Sequence, residues 1–562
     1  MKVSEIKYER AEFAKTAEGI KAAISGVKNA KCAEDVLKAR EIYVNETVNF
    51  STFAALSYMR YTINTADEFY AAEKRYYDET EPKLQEFILQ YNKAMLESPF
   101  RAELEERLSR VLFSDMEVAA KAVSPFITEE MIHENGIITE YSDLMASLEF
   151  EFRGETMPRT VLMKYFSEDD RATRREAYEV MGAGFKKAEA QLDDIFDRLV
   201  KVRNKMAVKM GYRNFVELGY YRMGRLCYDE KMVKSFRENV VRDIVPLVAR
   251  LKKSNAEKMG IFDFKMYDDG VTIPGGDPKP SQNKDDIFRA AVEMYHEMGE
   301  ETGKFIDMMM QTEAFDVVSR KNKWGGGYCT SFAKFRQPFI LANFNGTSGD
   351  VDVVTHEAGH ALADYLTYDN RFKAELDVGG METAETHSMS MEFFAWRYMD
   401  KFFGKDADKY RFMHAFSALS FIPYGTMVDH FQHIVYEKPD LTPQQRKETW
   451  LELEKIYRPY MSLEGIPYIE DGNRWQYQMH IFETPFYYID YCLAQTAAFG
   501  FLIKSLEDYD GAFEKYIEFI RHSGERVFTD LLRDADIPSP FEDGALGKLA
   551  DNIEKLLKKI EV

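Results

Sequence analysis

Residues 356–360 read His356-Glu357-Ala358-Gly359-His360. On a helix, two histidines four positions apart share one face, with Cβ atoms about 6 Å apart. Imidazole nitrogens so placed can reach a single Zn2+ at about 2.0–2.1 Å. Glu357 adjoins the first histidine, where it can take a proton from a water at the metal. A match of this form arises by chance in roughly one chain of this length in a hundred. The competing reading is a buried helix with two hydrogen-bonded histidines.

A hydrolytic zinc site also needs a third protein ligand and an open fourth position. Candidates lie downstream, between Val378 and Trp396. Gly379 and Gly380 end one element, and a second helix is predicted from about Glu382. Glu385, Met389, Glu392 and Trp396 then fall on one face. Acids among apolar neighbours are costly unless paired or bound to metal. Glu385 or Glu392 is therefore preferred to His387, which points away from this stripe and is expected to be solvated or merely hydrogen-bonded.

The elements that must position these residues are mostly helical. Long stretches lack Gly and Pro and carry apolar residues three and four apart. Phe87, Leu89, Tyr91 and Met95 mark one, Ile195, Leu199 and Val202 another, and Leu556, Leu557 and Ile560 close the chain. Two regions break the pattern. Residues 268–284 collect Gly, Pro and Asp and read as a surface loop. Residues 323–350 hold two short β-prone runs, from Trp324 to Thr330 and from Pro338 to Phe344, which read as a small antiparallel hairpin. The turn Asn345–Asp350 then opens the HExxH helix, with Ser348 or Asp350 as its cap and Asp352 in its first turn. The triple glycine at 325–327 has no following Lys-Ser/Thr pair and opens no helix, so it is a poor phosphate loop.

The 562 residues carry 74 Lys and Arg against 95 Asp and Glu, a formal charge of −21. That acidity disfavours nucleic acid and anionic membrane surfaces as partners. The longest apolar run, near Ala497–Ile503, is far shorter than the ~20 residues that span a bilayer. Cys32, Cys227, Cys329 and Cys492 form no CxxC pair, so neither a disulfide framework nor a cysteine zinc site is expected. The N-terminus alternates charge and has no apolar core. Together these features suggest a cytoplasmic protein.

The HEAGH helix, the Gly-Gly turn and Glu385, 25 residues after His360, resemble the thimet oligopeptidase and oligoendopeptidase F family of zinc peptidases. In that family the third ligand is a Glu that precedes a second Glu by seven residues, as Glu385 precedes Glu392. The resemblance therefore makes Glu385 the ligand, and we assign Glu392 to orienting a ligand histidine. The segment from His480 to Tyr491 reads on its own as an aromatic core helix. It is similar, however, to the family's His-then-tyrosine segment, which implies Tyr491, Tyr487 and His480, with Tyr488 a further candidate, as donors to the oxyanion formed during peptide hydrolysis. Tyr220-Tyr221-Arg222-Met223-Gly224-Arg225 is also like the oligoendopeptidase F branch, whereas the first ~160 residues match only in helical character.

The resemblance implies a mainly α fold, a large helical ellipsoid split by a deep central channel, with the small antiparallel β element beside the active-site helix. An N-terminal helical region, 1–160, would precede a catalytic region, 161–562. The edge of the hairpin could pair with an extended peptide, and Gly325 to Tyr328 would let a substrate backbone approach. The implied activity is a zinc endopeptidase with one Zn2+ per chain, cutting short unstructured oligopeptides. Two alternatives remain. One is a carboxypeptidase or dipeptidyl carboxypeptidase, with Arg336 or Arg474 reading the terminal carboxylate. The other is a non-catalytic peptide-binding protein.

Overall fold

A computed structural model describes residues 2–274, 276–280, 283–368 and 379–560. Most of them are helical, and the strands are short. The chain groups into two compact units, each drawn from separated stretches. The first holds Met1–Lys121, Lys279–Ala407 and Ala497–Pro538; the second holds Ala122–Pro278, Asp408–Thr496 and Ser539–Val562.

In the first unit, helices Phe13–Lys28, Ala33–Ile63 and Glu68–Leu96 pack together. Their apolar stripes close on one another, and Tyr43 stacks on Tyr91 with ring centroids 3.7 Å apart. In the third of these helices the buried face runs through Tyr77, Leu84, Tyr91 and Met95, while Phe87 and Leu89 are only half-buried. The periodicity thus located the helix but put its core face slightly out of phase.

The hairpin read between 323 and 350 forms. A two-stranded ribbon in the second unit supplies β1, Glu149–Phe152, and β2, Glu155–Pro158. In the first unit β3, Phe315–Asp316, pairs in parallel with β5, Gln337–Leu341, and β4, Tyr328–Phe332, pairs antiparallel with β5 on its other side. All five residues of β5 are buried, as expected of a central strand. β4 is left as an edge strand and, with β5, packs against helix Ala358–Thr367. The two-residue β3 was not legible, since so short a pairing has no periodicity to detect.

The stretch 268–284 is less superficial than its composition suggests. Asp268 is fully buried and binds Arg171 at 2.7 Å and Arg174 at 3.0 Å, and Thr272 and Ile273 are buried. Three residues of this stretch, Gly275, Ser281 and Gln282, lie outside the described residues, as does Val378 ahead of the Gly-Gly turn.

Within the second unit, two buried arginines fix the segment that carries His480 and the tyrosines. Arg203 is wholly enclosed on helix Arg171–Lys209. Its Nε donates to Glu134 at 2.6 Å, and its Nη atoms donate to Tyr436 and to the carbonyls of Ile481 and Phe482. Arg225 donates to the carbonyl of Phe486 and to Asp490, which also accepts from Tyr228 at 2.7 Å. Phe486 is held in the left-handed region at φ +70°. Its ring lies over Gly219, where a Cβ would come within 2.6 Å of it.

Glu134 pairs with both Arg203 and Arg222. Neutralising it leaves a buried guanidinium uncompensated. Glu134→Gln should cost about 3–5 kcal/mol of stability, to be read from a denaturant melt.

Candidate functional site

His356 and His360 lie on a continuous helical run that begins at Gly349. Asp350 does not cap this run. Its carboxylate instead accepts from the amides of Asn345 and Gly346, at 2.9 and 2.7 Å, and so ties down the preceding turn. Residues Val353–Glu357 form a single π turn before the α-helix Ala358–Thr367 resumes. Such turns often occur at functional sites, and nothing in the sequence pattern announced this one.

The second helix, Met381–Phe394, follows Gly379 and Gly380, both at positive φ (+86° and +126°). It crosses the HExxH helix very closely. A Cβ added at Gly359 would lie 2.8 Å from Ser388 Cα and 3.1 Å from the His387 carbonyl. The glycine between the two histidines therefore allows the backbones to touch, and Glu385 reaches both imidazoles as a result.

Glu385 Oε2 is 3.6 Å from His356 Nε2 and 3.6 Å from His360 Nε2. The imidazole rings stand 5.1 Å apart at 85°. Glu385 is buried, and Ser388 donates to the same Oε2 at 3.2 Å. The other nitrogen of His356, Nδ1, donates to Glu392 Oε1 at 2.5 Å, which directs Nε2 toward Glu385. Burial works against a charged His356, but Glu392, then Glu385 and Glu357, override it and lift the imidazole to about 10. The pocket thus favours positive charge. Tetrahedral ligands at about 2.0–2.2 Å from a metal lie about 3.3–3.6 Å apart, so the Glu385–histidine spacings fit a bound metal with little movement.

The three candidates for third ligand now separate. Glu385 lies in the cluster, whereas Glu392 bonds the outer nitrogen of His356. His387 is buried and hydrogen-bonded, its Nε2 being 2.8 Å from Ser523 Oγ, outside the cluster. Glu357 follows His356 directly and is half-buried. Gly359 and Ser388 escaped the sequence reading because a close approach and a weak second bond leave no spacing signature.

The second unit gathers His480, Tyr487, Tyr488 and Tyr491. The His480 ring is 5.6, 5.0 and 6.0 Å from the three tyrosine rings in that order, and Tyr487 and Tyr491 are 4.9 Å apart. Gln478 contacts His480 Nδ1 at 2.8 Å, which engages that nitrogen. Tyr487 precedes the helix Tyr488–Glu507, so the cluster straddles a helix start instead of filling one helix face. Of the two arginines considered for a terminal carboxylate, Arg474 is half-buried and donates to Tyr424 at 2.8 Å. Arg336 turns the β4–β5 hairpin at φ +52°.

A largely helical chain in which an HExxH pair and a glutamate from a neighbouring helix converge defines a metallopeptidase. Residues 3–123 match the peptidase M3 N-terminal domain, and residues 279–550 match peptidase family M3. The solved structure of PZ peptidase A with an inhibitor is 41% identical, with a TM-score of 0.93 and full coverage of both chains. Oligopeptidase PepF of Bacillus subtilis is 22% identical over 86% of this chain and 72% of its own length. Oligoendopeptidase F from Enterococcus faecium, at 15% identity and a TM-score of 0.64 over 98% of this chain and 97% of its own, shares the fold. The chain belongs to peptidase family M3, among the oligoendopeptidase F enzymes, and is a metalloendopeptidase that cleaves oligopeptides. Among the described residues, no helix is long and apolar enough to cross a membrane.

The crossing at Gly359 yields a prediction. Gly359→Ala must push the two helices apart at backbone, where nothing can swing aside. It should cost about 1–3 kcal/mol of stability and weaken metal retention, as thermal melting and metal analysis after dialysis would show.

Proposed function

We propose that His356, His360 and Glu385 hold one Zn2+ per chain and that Glu357 is the general base. The observation that carries this reading is the single Glu385 oxygen equidistant from both Nε2 atoms. Two imidazoles and a carboxylate are a donor set suited to catalytic zinc, with room for a fourth ligand. Glu392 acts by positioning: it holds the Nδ1 proton of His356 and so keeps Nε2 available to the metal. When bound, zinc would supply Lewis acidity to water and to the scissile carbonyl.

The residues of the chain do the rest. Glu357 removes a proton from the attacking water and returns it to the leaving amine. In our reading Tyr491, Tyr487 and His480 donate hydrogen bonds to the oxyanion, and their preorganisation as one cluster supports that role. An extended substrate would align along β4, whose outer edge has no strand partner among the described residues. Oligopeptides are the substrates. A reducing cytoplasm is the proposed location, in keeping with four cysteines that are all free thiols.

Two variants test the assignments. Glu357→Gln should retain zinc and lose at least about 100-fold in kcat on a fluorogenic peptide blocked at both ends; full activity would remove the base from the mechanism. Glu385→Ala should bind about one equivalent of zinc fewer than wild type, whereas unchanged metal content would transfer the third ligand to Glu392 or another group.

A further inference from the structure

A different trio of side chains converges within the second unit. Glu230 opens the helix Glu230–Asn239, while His433 and Glu437 lie four apart at the end of helix Ala407–Glu437. One ligand atom from each lies within 4.8 Å of the others. We propose that Glu230, His433 and Glu437 form a second divalent-cation site, made for a borderline ion such as Zn2+.

The argument starts from His433. It is 1% exposed, and its Nδ1 is buried with no hydrogen-bond partner among the described residues. Its other nitrogen is committed: Nε2 is 3.0 Å from the Tyr220 hydroxyl and 3.5 Å from Asp429 Oδ2. With the ring proton on Nε2, held by Tyr220 and facing the Asp429 carboxylate, Nδ1 keeps its lone pair for a ligand. Arg237, which could otherwise compete for the acids nearby, is already paired with Asp429 at 2.7 Å.

The two glutamates make a matching demand. Both are exposed, and a carboxylate oxygen of each lies within 4.8 Å of the other. A cation would relieve this like-charge repulsion and satisfy the orphaned nitrogen at once. Glu437 also sits at a helix C-terminus, where the dipole favours positive charge. An imidazole among the donors favours Zn2+ over Mg2+ or Ca2+. The ligand atoms must close to about 3.3 Å. The buried imidazole is the fixed point, and the two exposed carboxylates can swing toward it. Water would complete the coordination.

The test compares metal content. Full-length wild type and the Glu230→Gln/Glu437→Gln double variant are equilibrated with free Zn2+ buffered in the low micromolar range, then analysed by mass spectrometry. The double variant should bind one equivalent fewer than wild type. Its metal-free thermal melt should match that of wild type, since both changes are on exposed side chains. Equal metal content in the two proteins overturns the proposal. Because the readout is a difference, it is independent of whether the His356 cluster is loaded.

Discussion

The active site depends on how closely two helices can pass. Glu385 can meet His356 and His360 at the same distance only because the HExxH helix and the helix Met381–Phe394 cross with their backbones nearly in contact. Any side chain at position 359 would occupy the space that Ser388 Cα and the His387 carbonyl now fill. The preceding glycines, Gly379 and Gly380, take backbone angles that other residues rarely adopt and so set where the second helix begins. Three glycines thus do for the His356–His360–Glu385 cluster what no polar residue could. They remove bulk, and the three side chains come together as a result.

The second unit solves a comparable problem with charge. The segment from His480 to Tyr491 is interrupted at Thr484–Tyr487, where it runs from a short helix through a left-handed Phe486 into the next helix. Its carbonyls are taken up by Arg203 and Arg225, each buried and each partnered by an acid. Buried ion pairs of this type contribute little net stability, but breaking one is expensive. Here they hold a segment of non-repeating backbone that packing alone would leave adjustable. The tyrosine and histidine rings can then keep a fixed mutual geometry.

Much of this was legible in the sequence, and the reasons differ from residue to residue. His356, Glu357 and His360 announce themselves by spacing, because a helix converts a four-residue interval into adjacency. Glu385 and Glu392 could be placed on one face by the same rule, but the rule could not say which of them faced the histidines; that followed from the resemblance, and the structure puts them on opposite nitrogens of His356. The hairpin was readable because β5 carries most of the apolar run Pro338–Ala342 between polar and turn residues. The role of Asp350 was misread, since a cap and a turn clamp demand the same residue type at nearly the same position. Gly359 gave no warning, because a close approach is a property of two segments and a sequence pattern describes one. The pair His433 and Glu437 had the right interval all along, but their third partner, Glu230, lies some two hundred residues earlier.

The π turn at Val353–Glu357 is in effect a helix carrying one residue too many. Removing one residue there would restore an unbroken α-helix, the locally preferred form. It would also close the widened turn in which His356 and Glu357 themselves sit, changing how those two side chains leave the backbone relative to His360. Single-residue deletions in this stretch should therefore be lethal to activity while remaining easy on the helix itself.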